Sequence, residues 1–468
     1  MMNSKMMRLV AVVALGAVIW VTPAPVGVEL RAWHLLAIFA STILGLILQP
    51  FPMGTMALLG ITLPMLLNIL TPSEALSGFS TPIIWLLVAA FLIARGFVKT
   101  GFGRRVAFLI MRAIGDSTLK LGYVMVLTDL IISPSTPAAN ARGGAIVFPI
   151  AKSLSMTFDS EPGPTARRIG AYLIQTAAQG NVVTSCMFMT SAAVNPLMAV
   201  LAQKVLNVQI SWGTWALAGL VPGLICLALI PWILFKIYPP EIKYIPEAKK
   251  IAAAELEKMG PMSRPEKIML AVLIGSLLLW STSIITKIDA TAVALLCVCS
   301  MLVTRVIDYK DVTEEKASWD ALIWMGSLLT LTTYLANFGL IPWFVKLISA
   351  WLAGVSWPVA LSILAFVYMY CHYGFASMTA HISTLFPAFI AVAVATGAPV
   401  MLTVMLMAVL STLCGGLTHY ASGAAPVFFG SGYITQAEWW RLGFIMSLLY
   451  VGVFGTIGVM WWKVLGIW

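Results

Sequence analysis

Residues Ser133 to Ile150 read SPSTPAANARGGAIVFPI. The stretch follows the apolar run VLTDLII (Val126–Ile132) and ends in another, AIVFPI (Ala145–Ile150). Yet Pro134, Pro137, Asn140, Arg142, Gly143 and Gly144 fall within eleven residues of one another. Two prolines and a glycine pair predict that a helix stops here. At membrane depth, non-helical backbone persists only where protein or a water-filled cavity satisfies its polar groups. The stretch is therefore expected to be the tip of a re-entrant hairpin aimed at a polar site. His372–Phe389 (HYGFASMTAHISTLFPAF), about half a chain later, has the same character and predicts a second tip.

Composition supports the membrane setting. The 468 residues are 60% hydrophobic and 10% charged, with a mean hydropathy of +0.95, whereas soluble chains carry roughly 25% charged residues. At about 20 apolar residues per crossing, the chain has room for roughly a dozen spans. The N-terminal MMNSKMMRLVAVVALGAVIW has a basic start and an apolar run. No small-residue cleavage site follows it before Pro23 and Pro25, so it reads as a retained first span. All six cysteines fall in apolar segments and read as small buried hydrophobes. The net charge of +10 lies mostly in loops, as the positive-inside rule predicts, and implies no nucleic acid partner.

Apolar spans are expected at about 7–24, 32–49, 54–70, 83–98, 169–206 (broken), 213–236, 268–285, 289–305, 319–335, 400–430 (broken) and 442–465, with hairpins near 117–152 and 357–396. Lys5 and Arg8, Lys99 to Arg112, Arg167 and Arg168, the central loop Tyr238–Lys267, and Arg305 to Lys316 carry the basic clusters. Alternating sides from a cytoplasmic N-terminus places all of these inside and the C-terminus outside. The fold class is thus an all-α polytopic membrane protein of about 11 transmembrane helices plus two re-entrant hairpins. FGRRVAFLIMRAIG (Phe102–Gly115) reads as an interfacial helix, and AAAELEKM in the central loop as a short surface helix.

The halves match. The run around Trp85 pairs with the run around Trp324, and each hairpin precedes a broken span, at Met189–Pro196 and Thr418–Pro426. An odd number of crossings separates the repeats, so they are inverted, a pattern that points to a secondary transporter with its site at the midplane. The expected organisation is 1–82 scaffold spans, 83–237 first repeat, 238–267 cytoplasmic loop, 268–318 linking scaffold spans and 319–468 second repeat.

A half-helix that starts inside the membrane presents free N–H groups and the positive end of its dipole, which suits carboxylate. The candidate binding residues lie at these starts. Asn140 is placed to cap a helix beginning at Ala141, Ser377 and Thr379 to cap the second return arm, and Asn195 to cap ahead of Pro196. Thr190, Ser191, Thr418 and Ser422 add hydroxyls. Arg142 either contacts a carboxylate directly or forms a structural pair with Asp129, the one acidic residue in either hairpin arm. His381 and His419 either donate to substrate or pack on a backbone partner, and His372 reads as structural. No phosphate loop, metal-ligand motif or nucleophile elbow is present, so neither a cofactor nor an enzyme is expected.

Four motifs, TPAANARGGAIVFPI (Thr136–Ile150), TSAAVNPL (Thr190–Leu197), FASMTAH (Phe375–His381) and LTHYASGAAPVFFGSGYI (Leu417–Ile434), resemble the divalent anion:sodium symporter family. The closer resemblance is to its exchanger branch, which holds bacterial citrate/succinate and tartrate/succinate antiporters and plastid 2-oxoglutarate/malate translocators. The resemblance implies a homodimer in the bacterial inner membrane. Each protomer would have a scaffold domain and a transport domain that carries both hairpins and moves as an elevator. Family tips carry Ser-Asn-Thr, whereas here they align as Ala138-Ala139-Asn140 and Ser377-Met378-Thr379. Loss of both middle asparagines argues against sodium, and a fixed charge at Arg142 could stand in for it. The leading expectation is sodium-independent antiport of di- or tricarboxylates such as succinate, malate, tartrate, 2-oxoglutarate or citrate. A sodium-coupled symporter and an anion channel are the alternatives. An unpaired Arg142 would hinder movement of the empty carrier.

Overall fold

The computed structural model describes residues 4–340, 343, 345–347, 354–375 and 377–468. Among these there is no β-strand, only an isolated antiparallel bridge between Ser117 and Tyr244. Helix starts follow local sequence rules. Thr71–Glu74, Ser263–Glu266, Asp308–Asp311 and Thr435–Glu438 each form a reciprocal capping box that satisfies two otherwise orphaned N–H groups. Ser117 and Ser211 cap through their hydroxyls alone.

The order of elements repeats. The first series runs through Pro82–Thr100, the helix Phe102–Ile114, a helix–turn–helix (Thr118–Ile132, then Ala139 to Thr157), an interrupted helix (Gly170–Met187, then Val194–Leu206) and Trp212–Ile237. The second runs through Lys316–Asn337, the pair Trp357–Cys371 and Met378–Ala395, an interrupted helix (Val400–Leu413, then Ala425–Phe429) and Gln436 to Val464. Among the described residues, five helices, Leu30–Leu48, Pro82–Thr100, Trp212–Ile237, Met378–Ala395 and Gln436–Val464, are each long and apolar enough to cross a membrane.

Two packing groups meet. Leu30–Leu48, Met53–Leu66, Pro82–Thr100, Ala290–Val303 and Lys316–Asn337 pack in one. Gly170–Met187 is buried along its whole length at the centre of the other, against Thr118–Ile132, Trp212–Ile237 and Val400–Leu413. An apolar cavity of about 620 Å³ lies at the seam, with Trp33, Phe39 and Ile43 on one side and Phe375, Thr384 and Phe389 on the other.

The basic face is held together by ion pairs. Arg105 and Glu266, both buried, pair through two N–O contacts of 2.6 and 3.1 Å, and Arg105 also donates to the Gly260 and Met259 carbonyls. Burial pushes the Glu266 carboxyl up, but the Arg105 and Ser263 hydrogen bonds outweigh it and hold the pKa below its ordinary value. The central loop helix, Glu247–Met259, packs on Phe102–Ile114, joined also by Arg104 to Glu255 at 2.6 Å.

One local expectation is corrected. The glycine pair does not stop a helix. The irregular segment ends at Ala138, and a helical path runs from Ala139 through a wide π-turn at Arg142–Val147 into Phe148–Thr157. Gly143 serves close packing instead: a Cβ there would lie 2.9 Å from the Phe428 ring.

Candidate functional site

Each hairpin tip is latched to the helix interruption that follows it in sequence. At the first, the Thr190 hydroxyl donates to the Pro134 carbonyl and accepts from Trp212 Nε1 at 2.9 Å. Arg142 is wholly buried, and all five of its N–H donors are used. Nε donates to Asp129 Oδ1 (3.1 Å), Nη1 to the carbonyls of Thr136 and Ser191 (2.6 Å to Ser191), and Nη2 to the hydroxyls of Ser185 (2.8 Å) and Thr184 (3.4 Å). Asp129 is completed by Asn181 Nδ2 (3.2 Å) and the Thr184 hydroxyl. Asn181 reaches on to the Ala139 carbonyl at 3.2 Å. The arginine is therefore a paired, saturated group beneath the tip, and the unpaired charge anticipated as a barrier is absent.

At the second tip, His372 Nε2 bonds the Ala421 carbonyl at 3.0 Å and the Tyr420 hydroxyl donates to the Tyr373 carbonyl at 2.9 Å. Ser377 caps Met378–Ala395, accepting from the Ala380 N–H at 3.3 Å as the sequence predicts. Thr379 does not cap; it is the second residue of that helix and is buried. Ser422 accepts from the Ala425 N–H at 3.2 Å at the start of the last half-helix.

Asn140 is not a cap either. It lies inside the short helix Ala139–Ala141, and its side chain is exposed. No acceptor is found for the N–H groups of Asn140 and Ala141 among the described residues. Asn140 faces the second interruption, where a Cβ on Gly423 would sit 3.7 Å from Asn140 Cβ. On the other side of that interruption, Met378 Cε lies 2.6 Å from where a Cβ on Gly415 would be. Residues 415–423 thus bridge the two tips.

The first interruption is otherwise closed. Ser191 Oγ donates to the Ser185 and Phe188 carbonyls at 2.7 Å. Asn195 is the second residue of Val194–Leu206 rather than its cap. Its amide donates to the Ser185 and Phe188 carbonyls (2.7 and 2.8 Å), and its oxygen accepts from Thr412 in the other repeat at 2.9 Å. His419 Nδ1 accepts from Trp440 Nε1 at 3.2 Å within a shell of Phe429 and Tyr420. Among the described residues, the Thr418 hydroxyl and His381 Nε2 are buried without a hydrogen-bond partner.

The sequence reading missed Asn181, Thr184 and Ser185. Their signal was present, because polar groups at helical spacing in an apolar run need partners. It also missed Gln179, which donates to Gly416 at 3.1 Å and accepts from Tyr450 at 2.7 Å, joining the repeats. Cys299 and Cys371 are exposed rather than buried.

The interrupted helices and paired tips define a polytopic membrane transporter. Residues 3–468 match the family described as "Sodium:sulfate symporter transmembrane region", and the chain belongs to that family of transporters, not to the enzymes. The Bacillus subtilis (strain 168) protein named "Putative malate transporter YflS" is 47% identical over 465 residues, covering 99% of this chain and 97% of its own. "Dicarboxylate transporter 1, chloroplastic" of Arabidopsis thaliana is 42% identical, covering 98% and 83%. The "L-tartrate/succinate antiporter" of Shigella sonnei is 36% identical, covering 98% of each chain. The fold also resembles the Alcanivorax borkumensis YdaH transporter crystal structure, with a TM-score of 0.56, 14% identity, and 99% of this chain and 97% of that one covered.

Proposed function

We propose that this protein exchanges small di- and tricarboxylates across the bacterial inner membrane without sodium. The names of its relatives support the dicarboxylate part of that class, and tricarboxylates extend it through the same carboxylate chemistry. The free Asn140 and Ala141 N–H groups and the Ser377-capped helix start supply donors for carboxylate oxygens. Asn140, Ser377, Thr379, Thr418 and Ser422 form the proposed contact set; His381, fully buried against Tyr368 and Cys414, is left out of it. Arg142, Thr190, Ser191 and Asn195 act as positioning residues, because their polar atoms are already engaged, whereas half-buried His419, its Nδ1 held by Trp440, keeps Nε2 for substrate.

The observation that carries sodium independence is the aim of Arg142 Nη1. It donates to one carbonyl of the tip, Thr136, and one of the interruption, Ser191. A cation at that junction would need such oxygens, and the guanidinium already occupies them. The barrier that an exchanger needs against empty return then falls to unsatisfied groups at the site, the two tip amides and the Thr418 hydroxyl, which are costly to carry through a dry seam.

The reading extends to architecture. In this proposal eleven crossings plus two re-entrant hairpins put the termini on opposite sides, and the basic loops support a cytoplasmic N-terminus and an outer C-terminus. Residues 1–82 and 268–318 serve as scaffold, and the hairpins and interrupted helices of 83–237 and 319–468 slide against it in a homodimer. Counterflow in proteoliposomes tests the proposal. Succinate uptake that needs trans-carboxylate and is indifferent to sodium is expected. Strict sodium dependence would reverse it in favour of symport, and non-saturating conductance in favour of a channel.

A further inference from the structure

The second tip holds an unexplained cluster. His372 ends the outgoing arm, His381 lies in the first turn of the return helix, and Cys414 stands where Val400–Leu413 gives way to the second interruption. All three are fully buried, and one ligand atom from each lies within 4.8 Å of the others.

The hydrogen bonds fix which atoms are free. A carbonyl only accepts, so the bond from His372 to the Ala421 oxygen puts the proton on Nε2. Neutral His372 therefore turns a bare lone pair at Nδ1 into the protein, and that nitrogen has no partner among the described residues. His381 Nδ1 stands 3.8 Å from Cys414 Sγ, while its Nε2 is also buried and unpartnered. The thiol donates to the Ser411 carbonyl at 3.0 Å. The orphaned Nδ1 of His372 and the Nδ1 edge of His381 converge on one sulfur within walls formed by Tyr368 and Phe375, and a bare buried lone pair there is expensive unless something binds it.

We propose that His372, His381 and Cys414 form a binding site for a thiophilic divalent cation of the zinc type. The donor set suits such an ion: imidazole nitrogens and a thiolate are its preferred ligands, and a histidine whose other nitrogen donates to a backbone carbonyl is the usual outer-shell arrangement. Metal–ligand bonds of about 2.0–2.3 Å put tetrahedral donors roughly 3.5 Å apart, so the three side chains close by about an ångström. On binding, the Cys414 S–H bond breaks, its proton leaves to solvent, and the thiolate bonds to the metal. A bare thiolate would be costly in this dry pocket, and the cation replaces the proton's charge. A water completes the fourth position. The bound ion would join both arms of the second hairpin to the second interruption, so that exchange slows when metal is present.

Cadmium is the probe. The full-length protein in detergent, stripped with chelator, is titrated with cadmium and followed by the ultraviolet cadmium–thiolate absorption band and by Tm, with zinc for the second readout. A saturable band at one equivalent and a Tm raised by several degrees are expected for the wild type. Both should persist in Cys371→Ala, which removes the exposed neighbouring thiol. Both should be lost in Cys414→Ala. His372→Gln keeps the thiol and should weaken binding by at least tenfold, which covers the case in which Cys414→Ala does not fold. No band in the folded wild type, or a band that survives Cys414→Ala, would overturn the proposal.

Discussion

Replacing Arg142 by alanine separates a positioning role from direct contact with substrate. The guanidinium is fully buried and makes one ion pair and four further hydrogen bonds. Its removal leaves Asp129, also buried, with only Asn181 and Thr184, and leaves the Thr136 and Ser191 carbonyls without that donor. Breaking a buried pair by deleting one partner costs about 3–5 kcal/mol, a large share of a typical domain's roughly 5–15 kcal/mol. Apo Tm should therefore fall sharply. Replacing both partners with apolar side chains, Arg142→Met with Asp129→Leu, should recover most of that loss, because no uncompensated charge remains. The assay is thermal unfolding of the purified protein with and without succinate, for the wild type, both single variants and the pair. An Arg142→Ala protein with wild-type apo Tm but no stabilisation by succinate would refute the reasoning and make the arginine a carboxylate ligand.

Four further outcomes are expected. Asn140→Ala should weaken succinate stabilisation by about fivefold to tenfold, the worth of roughly one hydrogen bond of about 1 kcal/mol, without lowering apo Tm. Cys297→Ala, far from the tips in sequence, should leave succinate stabilisation unchanged. Gly219→Ala should destabilise by about 1–3 kcal/mol, because its Cβ would come within 2.5 Å of the Met187 carbonyl oxygen and 2.8 Å of its Cα, and backbone yields little; denaturant-induced unfolding measures it. Glu266 has a folded pKa below its ordinary value of 4.5, so its contribution is present above that value and lost as pH falls through the folded pKa. Wild-type Tm should drop below about pH 4.5, and the drop should shrink in Glu266→Gln.

The chain's apolar runs and its Pro- and Gly-rich interruptions made the helical architecture and its repeat legible without coordinates. Those are local signals: a proline in a helix or a serine at its start acts within a turn or two. Ser377 was readable as a cap for that reason. Whether Arg142 meets substrate or Asp129 was not readable, because both fates use the same residue in the same apolar setting. Asn181, Thr184 and Ser185, brought from another helix, saturate the network. Likewise the glycines at 143 and 144 looked like breakers until Phe428 and Val427 were seen packed against them. His372, His381 and Cys414 are separate in sequence and become a cluster only when three elements converge. Polar groups in an apolar run announce that they need partners, but which ones they find depends on long-range packing, and that was decided in three dimensions.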